Sequence, residues 1–253
     1  MSLSSEKIQE NWKQLIECIK DTFPEDYPDN RREKLLKMYH DLESRMMLTP
    51  ASGIDYYHNC FPGGYVDHVL RVIDCAEKLY QLWKDAGAHV EDYTYEELVF
   101  SAMHHDLGKI GNLKNDYYIP NDSEWHRKNQ GKIYNHNPEL QFMVVADRSL
   151  WLLNQFEIKI SMNEVLGIRL ADGLYEESNI RYFKGYTKDN QLKSNLPVII
   201  HHADMMAMRV EHEAAVHTSS TAKQQTSFVS KHKDNSKHVD INKMKKQFDE
   251  LFN

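Results

Sequence analysis

Apolar positions recur every three to four residues along most of this chain, the period of amphipathic helices. Between residues 5 and 20, Ile8, Trp12, Leu15, Ile16 and Ile19 share one face. The segment FPEDYP, with Pro24 and Pro28, interrupts the pattern. A second helix is predicted over 29–47 from Leu35, Leu36, Met38, Tyr39, Leu42 and Met46. After the turn-rich stretch LTPASGIDYYHNCFPGG, a third covers 65–86 on Val66, Val69, Leu70, Ile73, Ala76, Leu79, Tyr80 and Trp83. Thr94, followed by Glu96 and Glu97, marks a capped start. The fourth helix runs from there to about His105 and stops near Gly108. Further helices are predicted over 138–156, 162–172 and 195–216, with no strand-rich region and no repeat. The predicted fold class is all-α, a helical bundle.

Two stretches depart from this pattern. Residues 112–135 are polar, with one proline, one glycine and scattered aromatic and cationic residues. So long an irregular insertion in a compact domain is commonly functional. From His217 the chain turns polar, in TSSTAKQQTSFVSKHKDNSKH, and reads as a linker. Ile241, Met244, Phe248, Leu251 and Phe252 then form a short amphipathic helix, read as docking on its own protein or a sister subunit. The organisation expected is 1–48 as N-terminal helices packed on the core, 49–216 as the core carrying the insertion, and 217–253 as linker and terminal helix.

Composition narrows the function classes. Across 253 residues, 41% are hydrophobic and 27% charged, as in ordinary globular proteins. A net charge of −7 argues against coating nucleic acid through a global positive field. Cys18, Cys60 and Cys75 form no CxxC pair and indicate neither a disulfide framework nor a thiolate zinc site. No apolar run approaches membrane-spanning length and the N-terminus lacks a signal region, so a cytoplasmic protein is expected.

The chemistry lies in polar residues that interrupt apolar helices. The third helix carries His68. The fourth ends in SAMHHDLGK, with His104, His105, Asp106 and Lys109. The last long helix, LPVIIHHADMMAMRVEHE, carries His201, His202 and Asp204. A buried carboxylate without a partner costs several kcal/mol. One cation among His68, His105, Asp106 and Asp204 would satisfy them all. Imidazole nitrogen with carboxylate oxygen suits divalent Mn, Fe, Co, Ni or Zn. Adjacent ligands such as His105 and Asp106 need a helix end, because neighbouring side chains within a helix point about 100° apart. His104, His201 and His202 read as supporting residues, and Met205, Met206 and Met208 as core filling.

His68, then His105-Asp106, then Asp204 after a long helical interval resembles the HD-domain superfamily of metal-dependent phosphohydrolases. HDLGK at 105–109, GGYVDHVLRV at 63–72 and HHAD at 201–204 bring it nearest the HD domain of YhaM-type 3'-to-5' exoribonucleases, over about residues 50–215. The resemblance implies an all-helical domain with those four residues around a divalent cation (Mn, Fe, Co, Ni, Zn or Mg), and hydrolysis of a phosphate ester or anhydride. It also implies a phosphate role for Lys109. Arg71, one turn after His68, is a second candidate phosphate contact. For a second metal, His136 is a better candidate than His126. Where relatives carry His-His-Gly, this chain has Ala171-Asp172-Gly173, so one cation per chain is expected, with His136 touching substrate or water.

The expected activity is therefore phosphohydrolysis of a small phosphorylated molecule, a nucleotide first of all. The insertion would close over it, with Tyr117, Tyr118, Trp125 and Tyr134 stacking on a base and Arg127, Lys128 and Lys132 meeting phosphates. The alternatives are an exonuclease or phosphodiesterase on nucleic-acid ends, a di-iron oxygenase, and a silent ligand-binding module. Nucleic acid is not favoured as a partner, no membrane is expected, and a homo-oligomer is left open.

Overall fold

The computed structural model describes residues 2–229, with side chains through 216. Ten α-helices and one two-stranded sheet occur among the described residues. Helix α1 (Ser5–Thr22) begins on Ser4, whose hydroxyl accepts from the Lys7 amide, and buries Trp12, Leu15 and Ile19. The predicted second helix is two. Helix α2 (Arg31–Asp41) and helix α3 (Glu43–Leu48) part at Leu42, which leaves helical geometry at φ −108°, ψ 5°. Helix α4 (Gly64–Asp85) buries Val66, His68, Val69, Val72 and Ile73. Helix α5 (Tyr95–His104) starts in a full capping box between Thr94 and Glu97, then buries every residue from Leu98 to His104.

The insertion is ordered by its own backbone pairing. Strands β1 (Tyr118–Pro120) and β2 (Tyr134–His136) pair antiparallel, with helix α6 (Glu124–Gln130) between them. The amides of Ile133 and Tyr134 donate to Gly53 O at 3.0 and 3.1 Å, which ties the hairpin to the loop before α4. These strands were absent from the sequence expectation, since three residues each are too short to display a period of two.

Helix α7 (Val145–Gln155) begins seven residues later than the pattern suggested. Pro138 has no N–H to give, Asn137 Oδ1 accepts from the Glu139 amide at 3.0 Å, and Gln141 O accepts from Arg148 at 3.1 Å. The apolar residues of 140–144 face a cavity instead of a helix seam. Helix α8 (Met162–Arg169) follows a Ser161–Glu164 capping box, and the short helix α9 (Ile180–Phe183) precedes helix α10 (Leu196–Val229).

One buried cluster runs from Trp12 to Ala207 and unites α1, α2, α4, α5, α7 and α10. Within it, Arg31 meets Glu164 in a two-bond pair at 2.5 and 2.8 Å. Residues Met1–Ala215 form one compact unit. The helical backbone of α10 continues to Val229, past the expected end at 216, because no Pro or Gly falls between Val198 and Val229 to stop it. The predicted helix at 240–252 lies outside the described residues. No helix among those described is long and apolar enough to cross a membrane.

Candidate metal centre

The His-Asp pair sits where α5 gives out. His105 keeps αR geometry, and Asp106 leaves it at φ −108°, ψ 9° before a 3₁₀ turn, Leu107–Ile110. That turn allows two consecutive side chains to converge. Gly108 serves a different purpose from the helix stop expected of it. A Cβ there would lie 2.1 Å from Val145 O, and its amide donates to Ser149 Oγ at 2.7 Å. Glycine lets α7 press onto the turn and hold it. On the far side Arg45 donates to the carbonyls of Ile110 and Asn112, both at 2.6 Å.

The four expected ligands converge. His68 Nε2 lies 3.1 Å from Asp204 Oδ1 and 3.7 Å from Asp106 Oδ2. His105 Nε2 lies 3.4 Å from Asp106 Oδ2 and 3.7 Å from Asp204 Oδ1. Neither Nε2 has a hydrogen-bond partner, although both are buried. Cation bonds of about 2.1 Å set neighbouring ligand atoms about 3.0 Å apart in an octahedron and about 3.4 Å in a tetrahedron, so the spacing fits a divalent ion. The ligand atoms of His68, His105 and Asp204 all fall within 4.8 Å of one another. Asp106 stands outside that group of three; its Oδ2 lies 3.7 Å from His68 Nε2 and 3.4 Å from His105 Nε2 and accepts from Lys109 Nζ at 2.6 Å.

Both imidazoles are held from behind. His105 Nδ1 is 2.7 Å from Ala102 O. A carbonyl only accepts, so Nδ1 carries a proton, and in the neutral ring the Nε2 lone pair points inward. His68 Nδ1 meets Glu211 Oε2 at 3.1 Å, and Arg71 Nε donates to Glu211 Oε1 at 3.1 Å. Asp204 and Glu211 stand two turns apart on α10 and grip opposite edges of one ring. Carboxylate–histidine pairs of this kind orient metal ligands. Sequence reasoning missed Glu211, and its seven-residue spacing from Asp204 is the signal that could have found it.

Charges at the site are strongly coupled. Burial opposes protonation of His68, yet Glu211 and Asp204 outweigh it and raise its pKa to about 9. Burial likewise opposes a charge on His105, and the two aspartates raise it well above the ordinary histidine value. Burial would raise Asp106, but Lys109 and His105 overcome it and hold the carboxyl low. Asp204 is held well below the usual range by both histidines against the same burial effect. Lys109 stays charged because Asp106 offsets its desolvation. His58 was also missed. Its ring stands 4.8 Å from that of His68, with both nitrogens buried and unpartnered. Burial, then the charges of His68 and Lys109, lower it to about 3.

The cluster opens into a cavity of about 950 Å³, lined by Asp106, Lys109, Asp204, His58, Tyr117, His136, Asp172 and His201 among others. His136 stacks on Tyr117 with centroids 4.7 Å apart. Asp172 faces this space, where desolvation and the charges of Asp106 and Asp204 raise its pKa.

Two expectations need correction. Arg71 does not line the cavity; its guanidinium is committed to Glu211. Of residues 112–135 only Tyr117 reaches the wall, which is otherwise built on this side by His136 and the 137–145 segment. Trp125 is 61% exposed, Arg127 donates to Asn121 O and Lys128 pairs with Glu124. His104 is structural, bonded to Phe100 O and Tyr39. His201 borders the cavity with Nδ1 on Ala171 O, and His202 turns toward Trp83. Comparison with protein-family models, curated proteins and solved structures finds no match to this chain.

Proposed function

We propose that this protein is a metal-dependent phosphohydrolase of the HD type, acting on a small phosphorylated molecule of nucleotide size. The observation that carries the reading is the pair of buried, unpartnered Nε2 atoms facing two carboxylates at the edge of a large cavity. His68, His105, Asp106 and Asp204 would hold one divalent cation. When bound, such an ion supplies Lewis acidity toward a phosphoryl oxygen and lowers the pKa of water. The protein's own groups do the rest. Glu211 and the Ala102 carbonyl fix both imidazoles so that Nε2 of each, once it has lost its proton, turns a lone pair inward. Lys109, kept charged by Asp106, offers a compact cation to phosphoryl oxygens in the cavity. His136, lowered from the usual histidine range first by burial and then by Lys132 and Arg148, offers a neutral ring at the wall.

One ion per chain is the favoured stoichiometry. Two groups able to hold a cation occur among the described residues, and both use His68. The second also needs Glu211, which already serves His68 and Arg71. This disfavours a di-iron oxygenase.

The test is a panel of nucleotides, phosphorylated metabolites and short oligonucleotides, assayed with Mn, Fe, Co, Ni, Zn and Mg for released phosphate and product mass. Hydrolysis of mononucleotides that disappears in Asp204→Ala is the expected result. No turnover on any compound with any metal would overturn the proposal, and activity confined to oligonucleotides would move it to nucleic-acid ends.

A further inference from the structure

The molecule contains two well-buried arginines, and they are treated differently. Arg31, 9% exposed, receives the full carboxylate of Glu164 in two bonds. Arg148, 4% exposed, receives none. Among the described residues no carboxylate comes within 4.0 Å of its guanidinium. Its neighbour Asp147 is turned away to Arg169, at 2.8 Å. Arg148 instead donates to Gln141 O at 3.1 Å and Gly108 O at 3.5 Å, with the Tyr117 ring 5.0 Å away.

A desolvated cation without a counter-charge is costly. A guanidinium has five N–H donors in a rigid fork, and two backbone carbonyls with the Tyr117 hydroxyl, none of them carrying a counter-charge, leave donors over. Arg148 borders the cavity together with Tyr117 and His136. Lys109, also at the wall, is charged but already has a carboxylate partner in Asp106, and Arg209 stands at the exposed rim. The unanswered positive charge in the interior wall is therefore at Arg148.

We infer that Arg148 is the seat for a second anionic group of the substrate, a phosphoryl group other than the one presented to the His-Asp cluster. The fork geometry suits bidentate recognition of phosphate. The enzyme then prefers compounds with two or more phosphoryl groups, such as nucleoside diphosphates, over the corresponding monophosphates. The word substrate rests on the phosphohydrolase reading; the anion seat itself does not.

The experiment titrates chelator-treated, full-length protein with inorganic pyrophosphate by calorimetry, for wild type, Arg148→Gln and Arg148→Lys, each checked for native circular dichroism. A charge-assisted bidentate contact predicts binding about ten- to a hundredfold weaker in the Gln variant, with the Lys variant between. A folded Arg148→Gln that binds pyrophosphate as tightly as wild type overturns the seat. Co-crystals of wild type with pyrophosphate cover the case in which neither variant folds, and density away from the Arg148 guanidinium, or none, overturns it equally.

With metal restored, the ratio of kcat/KM for a nucleoside diphosphate to that for its monophosphate falls at least tenfold in Arg148→Gln. A purely structural arginine would lower stability and leave that ratio alone. Pyrophosphate on Arg148 without hydrolysis of any compound sinks the phosphohydrolase reading and keeps the seat. Hydrolysis with an unchanged ratio does the reverse.

Discussion

Replacing Glu211 by glutamine keeps the shape of a side chain that is 1% exposed and removes its charge. That carboxylate accepts from His68 Nδ1 and from Arg71 Nε, each at 3.1 Å. A glutamine can offer its oxygen to one of them and must turn its NH₂ toward the other donor. Loss of a residue behind a metal-binding histidine costs about 10- to 100-fold in metal affinity, or about 1.4–2.7 kcal/mol. Protonation works the other way. In the metal-free wild type His68 has a pKa raised to about 9, so near pH 7 the ion must displace a proton held roughly 100-fold too tightly, a handicap of about 2.7 kcal/mol. Without Glu211 the His68 pKa falls, and part of that handicap disappears. Metal affinity of the wild type therefore rises with pH as His68 gives up its proton near 9, and His105, also raised well above the ordinary histidine value, adds to the same dependence. The deficit of Glu211→Gln is then largest at pH 9 and smaller at pH 7. Competition against a chromophoric chelator at both values, with Mn or Zn, measures it. Equal affinity for both proteins at pH 9 would refute the role given to Glu211, and a deficit that grows toward pH 7 would refute the proton competition.

Asp106→Ala should abolish metal-dependent hydrolysis and, because it leaves the Lys109 ammonium without its carboxylate, lower the midpoint of urea unfolding; full activity with metal still bound would disprove the site. Lys109→Ala should lower kcat by about 10²-fold or more with metal content near wild type, as read by elemental analysis, because its ammonium contacts Asp106 and the cavity but is no ligand. Gly108→Ala should destabilise by about 1–3 kcal/mol in urea unfolding, since the new methyl would sit 2.1 Å from Val145 O; an unchanged midpoint would mean that α7 moves away freely.

Helices α1, α4 and α5 were legible in the sequence because their signals are local. Apolar spacing sets the buried face, and Thr94 with Glu97 caps α5 within four residues. His68, His105, Asp106 and Asp204 were legible as polar groups in apolar runs that matched a spaced motif. What escaped the sequence depends on partners far along the chain. Leu42 reads as a helix position and becomes a break between α2 and α3. Residues 138–144 carry a helical pattern, yet their apolar side chains face a cavity that forms only when α7 and α10 are in place. Glu211 acquires its meaning from His68, 143 residues away. Arg71 looked free for phosphate until the fold gave it that same carboxylate. Arg148 shows the converse, since the sequence sets Asp147 beside it while the fold turns that carboxylate to Arg169 and leaves the arginine facing the cavity. Periodicity and capping are energies of near neighbours, so the sequence alone determines them. Which charge meets which counter-charge is settled by desolvation, and only the tertiary structure decides what is taken out of water together.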